Sequence, residues 1–280
     1  MKWTIVLLAL FWGACTTKTK PYTPLGKNDL AAKKLKGRVK TLTDYICHDR
    51  HENGKMVKGR ISNGDIYTFD SNGNLIEWLI CDEKTGEPFD RSVYELNQNG
   101  KPVKRVRYKK DGSLDATYTY HYNKEGYLIE DTRYNDDGTI KTIISYNYTD
   151  EGRLYQEYTY HTYNRHWQNT AHWYNAAGNQ DTIKFEDSEG NTFINISTLD
   201  YKGNEIGLYI NYKGKNRPVK ITKEFDDNGE EISSLDSLDK ERRICMYDYT
   251  KKDEAGNWLE ATMTCDGRVA RFLERKITYY

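Results

Sequence analysis

The residues best suited to chemistry crowd into "YHTYNRHWQNTAHWYN", residues 160–175, which gathers Tyr160, His161, Tyr163, His166, Trp167, His172, Trp173 and Tyr174. Aromatic faces beside hydrogen-bonding side chains are what a sugar ring or another flat ligand needs. The same residues suit ordinary cross-strand packing on a longer hairpin. Spacing alone leaves both readings open.

Other chemically capable groups are weaker. "CHDRH" brings together Cys47, His48, Asp49 and His51, but on a strand these positions alternate between two faces, so they read as a chance cluster near a turn and no metal is assigned. Paired acids such as Asp136 and Asp137, or Asp226 and Asp227, fall inside turn motifs, where hydrogen bonding and solvation explain them. No nucleophile elbow, phosphate loop or His-Glu-x-x-His motif occurs. The expectation is a protein with no catalytic residues and no cofactor.

What must position these residues is an array. Gly73, Gly100, Gly126, Gly152, Gly178, Gly203, Gly229 and Gly256 are 25 to 27 residues apart, and Gly86, Gly112, Gly138, Gly190 and Gly214 fall roughly midway. Each unit therefore holds two turns and two strands. The turns read "DSNG", "NQNG", "NKEG", "NDDG", "NAAG", "DYKG" and "DDNG". Asp or Asn at the first position accepts backbone hydrogen bonds, and Gly at the fourth takes the left-handed conformation that closes a three-residue hairpin. The array is broken at 160–175, where Asn164 and Arg165 stand in place of the midway glycine.

Between turns the pattern has period two. Leu114, Ala116, Tyr118, Tyr120 and Tyr122 share one face; Asp115, Thr117, Thr119, His121 and Asn123 share the other. In "SYNYTDEGRLYQEY" this sets Tyr148 opposite Leu154 and Ile144 opposite Tyr158. After residue 178 the position of Leu is taken by Gln180, Glu205 and Glu231, with Ile206 and Ile232 one place later as the candidate inner residues.

Composition narrows the partners. Basic and acidic residues number 42 each, which argues against a nucleic-acid partner or a basic membrane-binding face. Hydrophobic residues make up only 37%, yet there are 24 Tyr against 7 Phe, a balance suited to half-wet faces. Residues 1–14 combine Lys2, an apolar run and small residues directly before Cys15, as in a secretory signal. Small residues followed by cysteine resemble the bacterial lipobox, which implies lipidation of Cys15, membrane contact through that anchor only, and an outer-membrane lipoprotein facing either side. Residues 15–34 then read as a tether ending in a short helix-like segment, and 35–280 as the repeat domain.

The pattern in "YHYNKEGYLIE", "YNYTDEGRLYQE" and "YTFDSNGNLIEW" resembles the YD repeat of RHS-type proteins, and "LKGRVKTLTDYICHD" resembles the start of small repeat lipoproteins of Gram-negative bacteria. The resemblance implies an all-β fold: an elongated, twisted or coiled antiparallel meander of tandem hairpins of about 26 residues. The functional expectation is a non-enzymatic cell-envelope lipoprotein presenting an extended surface to a protein partner. The alternatives are a glycan-binding lipoprotein using the 160–174 cluster and a hydrolase with paired carboxylates on the concave face.

Counting outward from the turn "DEAGN" sets Cys245 directly opposite Cys265, close enough for a disulfide in an exported protein. A bulge at 250–252 would shift that register. The same count leaves Cys47 and Cys81 not facing each other.

Overall fold

The computed structural model describes residues 29–280 except 48–49, 83, 176–178, 201–204, 213–218 and 239–240. One helical turn, Asp29–Ala32 (α1), precedes the strand Val39–Cys47 (β1) and a small hairpin of Arg50–Glu52 (β2) and Lys55–Val57 (β3). The chain continues through Ile61–Phe69 (β4), Leu75–Cys81 (β5), Pro88–Leu96 (β6), Pro102–Lys109 (β7), Leu114–Tyr122 (β8), Leu128–Asn135 (β9), Ile140–Tyr148 (β10) and Leu154–His161 (β11). It is completed by His166–Tyr174 (β12), Gln180–Asp187 (β13), Thr192–Leu199 (β14), Glu205–Tyr212 (β15), Val219–Phe225 (β16), Glu231–Leu238 (β17), Glu241–Lys252 (β18), Trp258–Cys265 (β19) and Arg268–Tyr279 (β20).

From β4 to β20 each strand pairs antiparallel with the next, and β1 then pairs with both β20 and β4. The result is a closed barrel of eighteen strands. This corrects the expectation of an open, coiled meander. Hairpin repeats fix only neighbour-to-neighbour pairing; the strand ahead of the repeats has two free edges and satisfies the two terminal edges that an open sheet would leave exposed. At the seam Leu42 faces Ile277 on one side and Tyr67 on the other and is 2% exposed.

The turns form as their chemistry dictates. At "NQNG" the Asn97 Oδ1 accepts from the amides of Asn99 and Lys101, and Gly100 has φ +75°. The turn's left-handed residue also adds one residue to the ladder, giving a bulge at the pre-turn pair. Tyr148 therefore faces Leu154, while Ile144 faces Thr159 rather than Tyr158, which lies opposite Ser145. The register slips by one residue within a single hairpin.

The face that meets α1 is the lumenal one. Leu30 and Leu35 pack with Val39, Leu42 and Phe69, the Leu30 amide donates to Gly73, and Lys34 bonds the carbonyl of Gly229. The segment thus lies across one mouth of the barrel. Following register from Tyr67, the lumen takes Trp78, Ser92, Arg107 and Ala116 on successive strands. Eighteen strands at about 4.8 Å make a ring about 86 Å around, too wide for side chains alone to fill.

The outward face carries many polar groups. Ion pairs join Arg91 to Glu77, Lys104 to Glu95 and Lys251 to Glu260, and Asn147, Gln156 and Asn169 form a hydrogen-bonded row. A lipid-facing barrel needs an apolar outer band, and a Lys or Arg at its midplane costs about 2–4 kcal/mol. Exposed Ile194, Ile244 and Met246 lie among these polar groups on the same face.

After residue 178 the substitution of Leu has a definite outcome. Glu231 faces the pre-turn Phe225, the place Leu154 holds opposite Tyr148, while Ile232 points away from that position and is 37% exposed. The expected transfer of the inner position to Ile232 does not occur, because the bulge is set by the turn and not by the side chain.

Candidate functional site

The 160–175 segment forms the β11–β12 hairpin, with Arg165 in the left-handed conformation at the tip. Register divides its candidate residues between two faces. His161 faces His166, Tyr160 faces Trp167, and Tyr158 faces Asn169. His161, His166, His172 and Tyr174 belong to the lumen; Tyr160, Trp167 and Trp173 belong to the outer wall; Tyr163 sits at the tip, 74% exposed. The eight residues do not converge on one site.

The lumenal members are tied into the wall. His161 Nδ1 lies 3.1 Å from Thr142 Oγ1, His166 Nδ1 lies 2.6 Å from Ser188 Oγ, and His172 Nδ1 lies 2.9 Å from Asp181 Oδ2. Burial and the adjacent His166 and Lys141 hold the His161 imidazole below its usual range. The Tyr174 hydroxyl donates to the Leu154 carbonyl at 2.8 Å. That bond repeats along the array, from Tyr122 to Pro102 and from Tyr148 to Leu128, each at 2.8 Å. Each of these three pre-turn tyrosines thus anchors the start of the preceding hairpin's second strand. Tyr174 has a structural task.

The outward members make a different surface. Trp167 stacks on Tyr158 with ring centroids 6.3 Å apart, and Tyr160 stands directly opposite Trp167. Further along β12, Trp173 is 52% exposed and borders a rim hollow of about 410 Å³ lined also by Glu151, Arg153 and Tyr155. On a wall of threonines, amides, ion pairs and scattered exposed aliphatics such as Ile194, Ile244 and Met246, β11 and β12 carry an aromatic strip. Tyr155 and Tyr158, both exposed, were absent from the sequence-derived set; the period-two rule could have placed Tyr158 with Tyr160.

Lumenal carboxylates were also missed. Asp131 faces Ile144, and Glu157 faces Tyr146, one lumenal level apart and two strands distant. Two strand spacings correspond to about 10 Å. Burial pushes the Asp131 carboxyl up to about 6 against the opposing pull of Arg105, and burial likewise raises Glu157. Arg105 itself lies over the rings of Trp78, Tyr94 and Tyr118 at 5.6, 5.8 and 4.8 Å.

Cys245 and Cys265 are directly opposed across β18 and β19 and joined by a disulfide. Cys81 is a buried thiol opposite Pro88, and Cys47 lies opposite Ile61. Cys15, His48 and Asp49 lie outside the described residues. Among the described residues no group of three or more His, Cys, Asp or Glu side chains is placed to hold a metal ion.

No protein-family model matches the chain, and no curated protein matches it. Among solved structures, a Photorhabdus luminescens Tc holotoxin pore carrying a TccC3 mutation is 12% identical, with a TM-score of 0.36, over 80% of this chain and 13% of that one. A porin-like protein from Bacteroides uniformis is 11% identical, with a TM-score of 0.44, over 88% of this chain and 99% of that one. At these identities and scores the likenesses assign neither family nor function. An eighteen-stranded barrel is an architecture compatible with an outer-membrane location.

Proposed function

We propose that this chain is a non-enzymatic cell-envelope lipoprotein of the YD-repeat type, tethered through Cys15, whose barrel wall docks a protein partner. The observation that carries the reading is the aromatic strip of Tyr158, Tyr160, Trp167 and Trp173 on the outer wall, with Tyr158 and Trp173 exposed and Tyr160 and Trp167 half-buried. Tyr and Trp supply large contact area at low entropic cost and dominate the energetics of protein interfaces. The strip lies on paired strands of a closed barrel, so docking requires little ordering of the backbone. A charged outer wall suits a barrel held beside the membrane by a lipid, not one inserted in it.

The rim hollow around Trp173, Tyr155 and Arg153 supports a second reading, glycan binding. One experiment separates the two. Envelope proteins crosslinked to the barrel are identified with and without Trp167→Ala and Trp173→Ala, and the same proteins are applied to a glycan array. A partner lost in Trp167→Ala, with no array signal, supports protein docking. A saccharide signal lost only in Trp173→Ala supports the hollow instead. Partner capture unchanged in both variants overturns the aromatic-strip reading.

A further inference from the structure

The N-terminal segment that crosses the mouth does more than fill it. Lys33, the residue after α1, extends its ammonium over the Tyr67 ring at 3.4 Å from the centroid. The carboxylates of Asp44 and Asp65 are close enough for their charges to act on that ammonium, and the Tyr67 hydroxyl donates to Asp65 Oδ2 at 3.0 Å. Trp78 stacks behind Tyr67 at 5.9 Å. An aromatic face with flanking carboxylates, partly withdrawn from water, is the arrangement that recognises an organic ammonium ion. Here the chain's own lysine occupies it.

Beyond Lys33 the same carboxylates border a cavity of about 550 Å³, within the size range of small-ligand sites. Asp44 on β1, Asp65 on β4 and Asp82 just past the end of β5 all line it, Ile80, Cys81 and Phe89 supply apolar surface, and Lys84 is a cation beside Asp82. Asp82 is fixed by donors from Thr85 and Lys84, which hold its carboxyl below the ordinary range. Two anionic positions separated by apolar wall match a molecule with two ammonium groups joined by methylenes.

We infer that the cavity beside Asp44, Asp65 and Asp82 is a binding site for an aliphatic diamine or polyamine, and that Lys33 is an internal occupant which the ligand's terminal ammonium displaces from Tyr67. Arg275, the register partner of Asp44, adds a positive charge near the site and, with Lys33, opposes the burial that raises the Asp44 carboxyl.

The test is calorimetric titration of the barrel with spermidine, with butylamine as the single-ended control. Lys33→Gln should bind spermidine at least tenfold more tightly than the unaltered chain, and adding Asp65→Asn to it should cancel that gain. Asp82→Asn, which keeps a side-chain oxygen to accept from Thr85 and Lys84, should weaken spermidine several-fold and leave butylamine unchanged. Spermidine affinity that is no higher in folded Lys33→Gln overturns the displacement. If Lys33→Gln does not fold, Asp82→Asn decides: equal weakening of both amines, or of neither, overturns the two-ended site.

Discussion

Cys245 lies directly opposite Cys265 although two irregularities separate that pair from the turn at Asp253–Asn257. One shift falls between Lys252 and Lys251 and the other between Lys251 and Asp248, and they act on opposite strands, so the register after both equals the register before either. The insertion at "TKK" is absorbed locally. Replacing both cysteines by serine should lower stability by about 3 kcal/mol, the loop-closure value for a separation near 20 residues, read as a fall in urea midpoint. Deleting Thr250 alone should leave one shift uncompensated, and peptide mapping without reductant should then find free thiols at both positions.

The seam tests closure. Leu42→Ala should cost about 2–5 kcal/mol, as expected of a buried leucine, and Leu42→Asp should open the β1 contacts altogether. Hydrogen exchange reports the difference between ring and ribbon. In the ring, opening at β1 speeds exchange in β20 and β4 together; faster exchange in one of them alone would contradict closure.

Tyr122, Tyr148 and Tyr174 make the same hydroxyl-to-carbonyl bond two strands apart along the wall. Each change to Phe should cost about 0.5–1.5 kcal/mol, and because the sites are about 10 Å apart the losses should add. Chemical denaturation of the single and triple variants measures this. A triple variant no worse than one single change would show that the bonds do not contribute independently.

Gly86 and Gly112 separate crowding from backbone strain. Both have positive φ, +71° and +80°, but a Cβ at Gly86 would come within 2.9 Å of the Asn63 amide nitrogen, and one at Gly112 meets nothing within 4 Å. Gly112→Ala should cost about 1 kcal/mol, the penalty for a left-handed alanine. Gly86→Ala should cost distinctly more. Thermal melts of the two variants give the comparison.

Asp131 predicts a pH dependence. Its carboxyl titrates near 6 in the barrel and near 3.9 in an unfolded chain, so the folded state holds the proton more firmly. Asp131 therefore contributes stability below pH 4 that is lost as pH rises through 6. Asp131→Asn should gain stability relative to the unaltered chain at pH 8, by at most about 2 kcal/mol after allowance for its partial exposure and for the lost attraction to Arg105. The gain should shrink to nothing at pH 4, and urea midpoints across that range check it.

Much of this protein was legible in its sequence because its information is local. A turn such as "NQNG" forms by itself: Asn97 supplies the acceptor and Gly100 the left-handed conformation, and both lie within four residues. Period-two alternation then assigns Tyr118 and Tyr120 to one face, since successive side chains on a strand must point oppositely. The opposition of Cys245 to Cys265 followed from counting, because the two bulges between that pair and its turn fall on opposite strands and cancel.

Three features were decided only by the tertiary structure. Closure depends on β1 meeting β20, a pairing between Val39 and Tyr279 that no local rule contains; it arises because a long curled sheet has two unpaired edges and the leading strand can satisfy both. The one-residue bulge at turns such as that of β10 and β11, which moves Ile144 from Tyr158 to Thr159, depends on how the ladder accommodates a left-handed glycine. Closure then made one face a lumen, dividing His161, His166, His172 and Tyr174 from Tyr160, Trp167 and Trp173, and bringing Lys33 to Tyr67. The sequence determined which residues alternate, but only the closed ring determined which side of the alternation is inside.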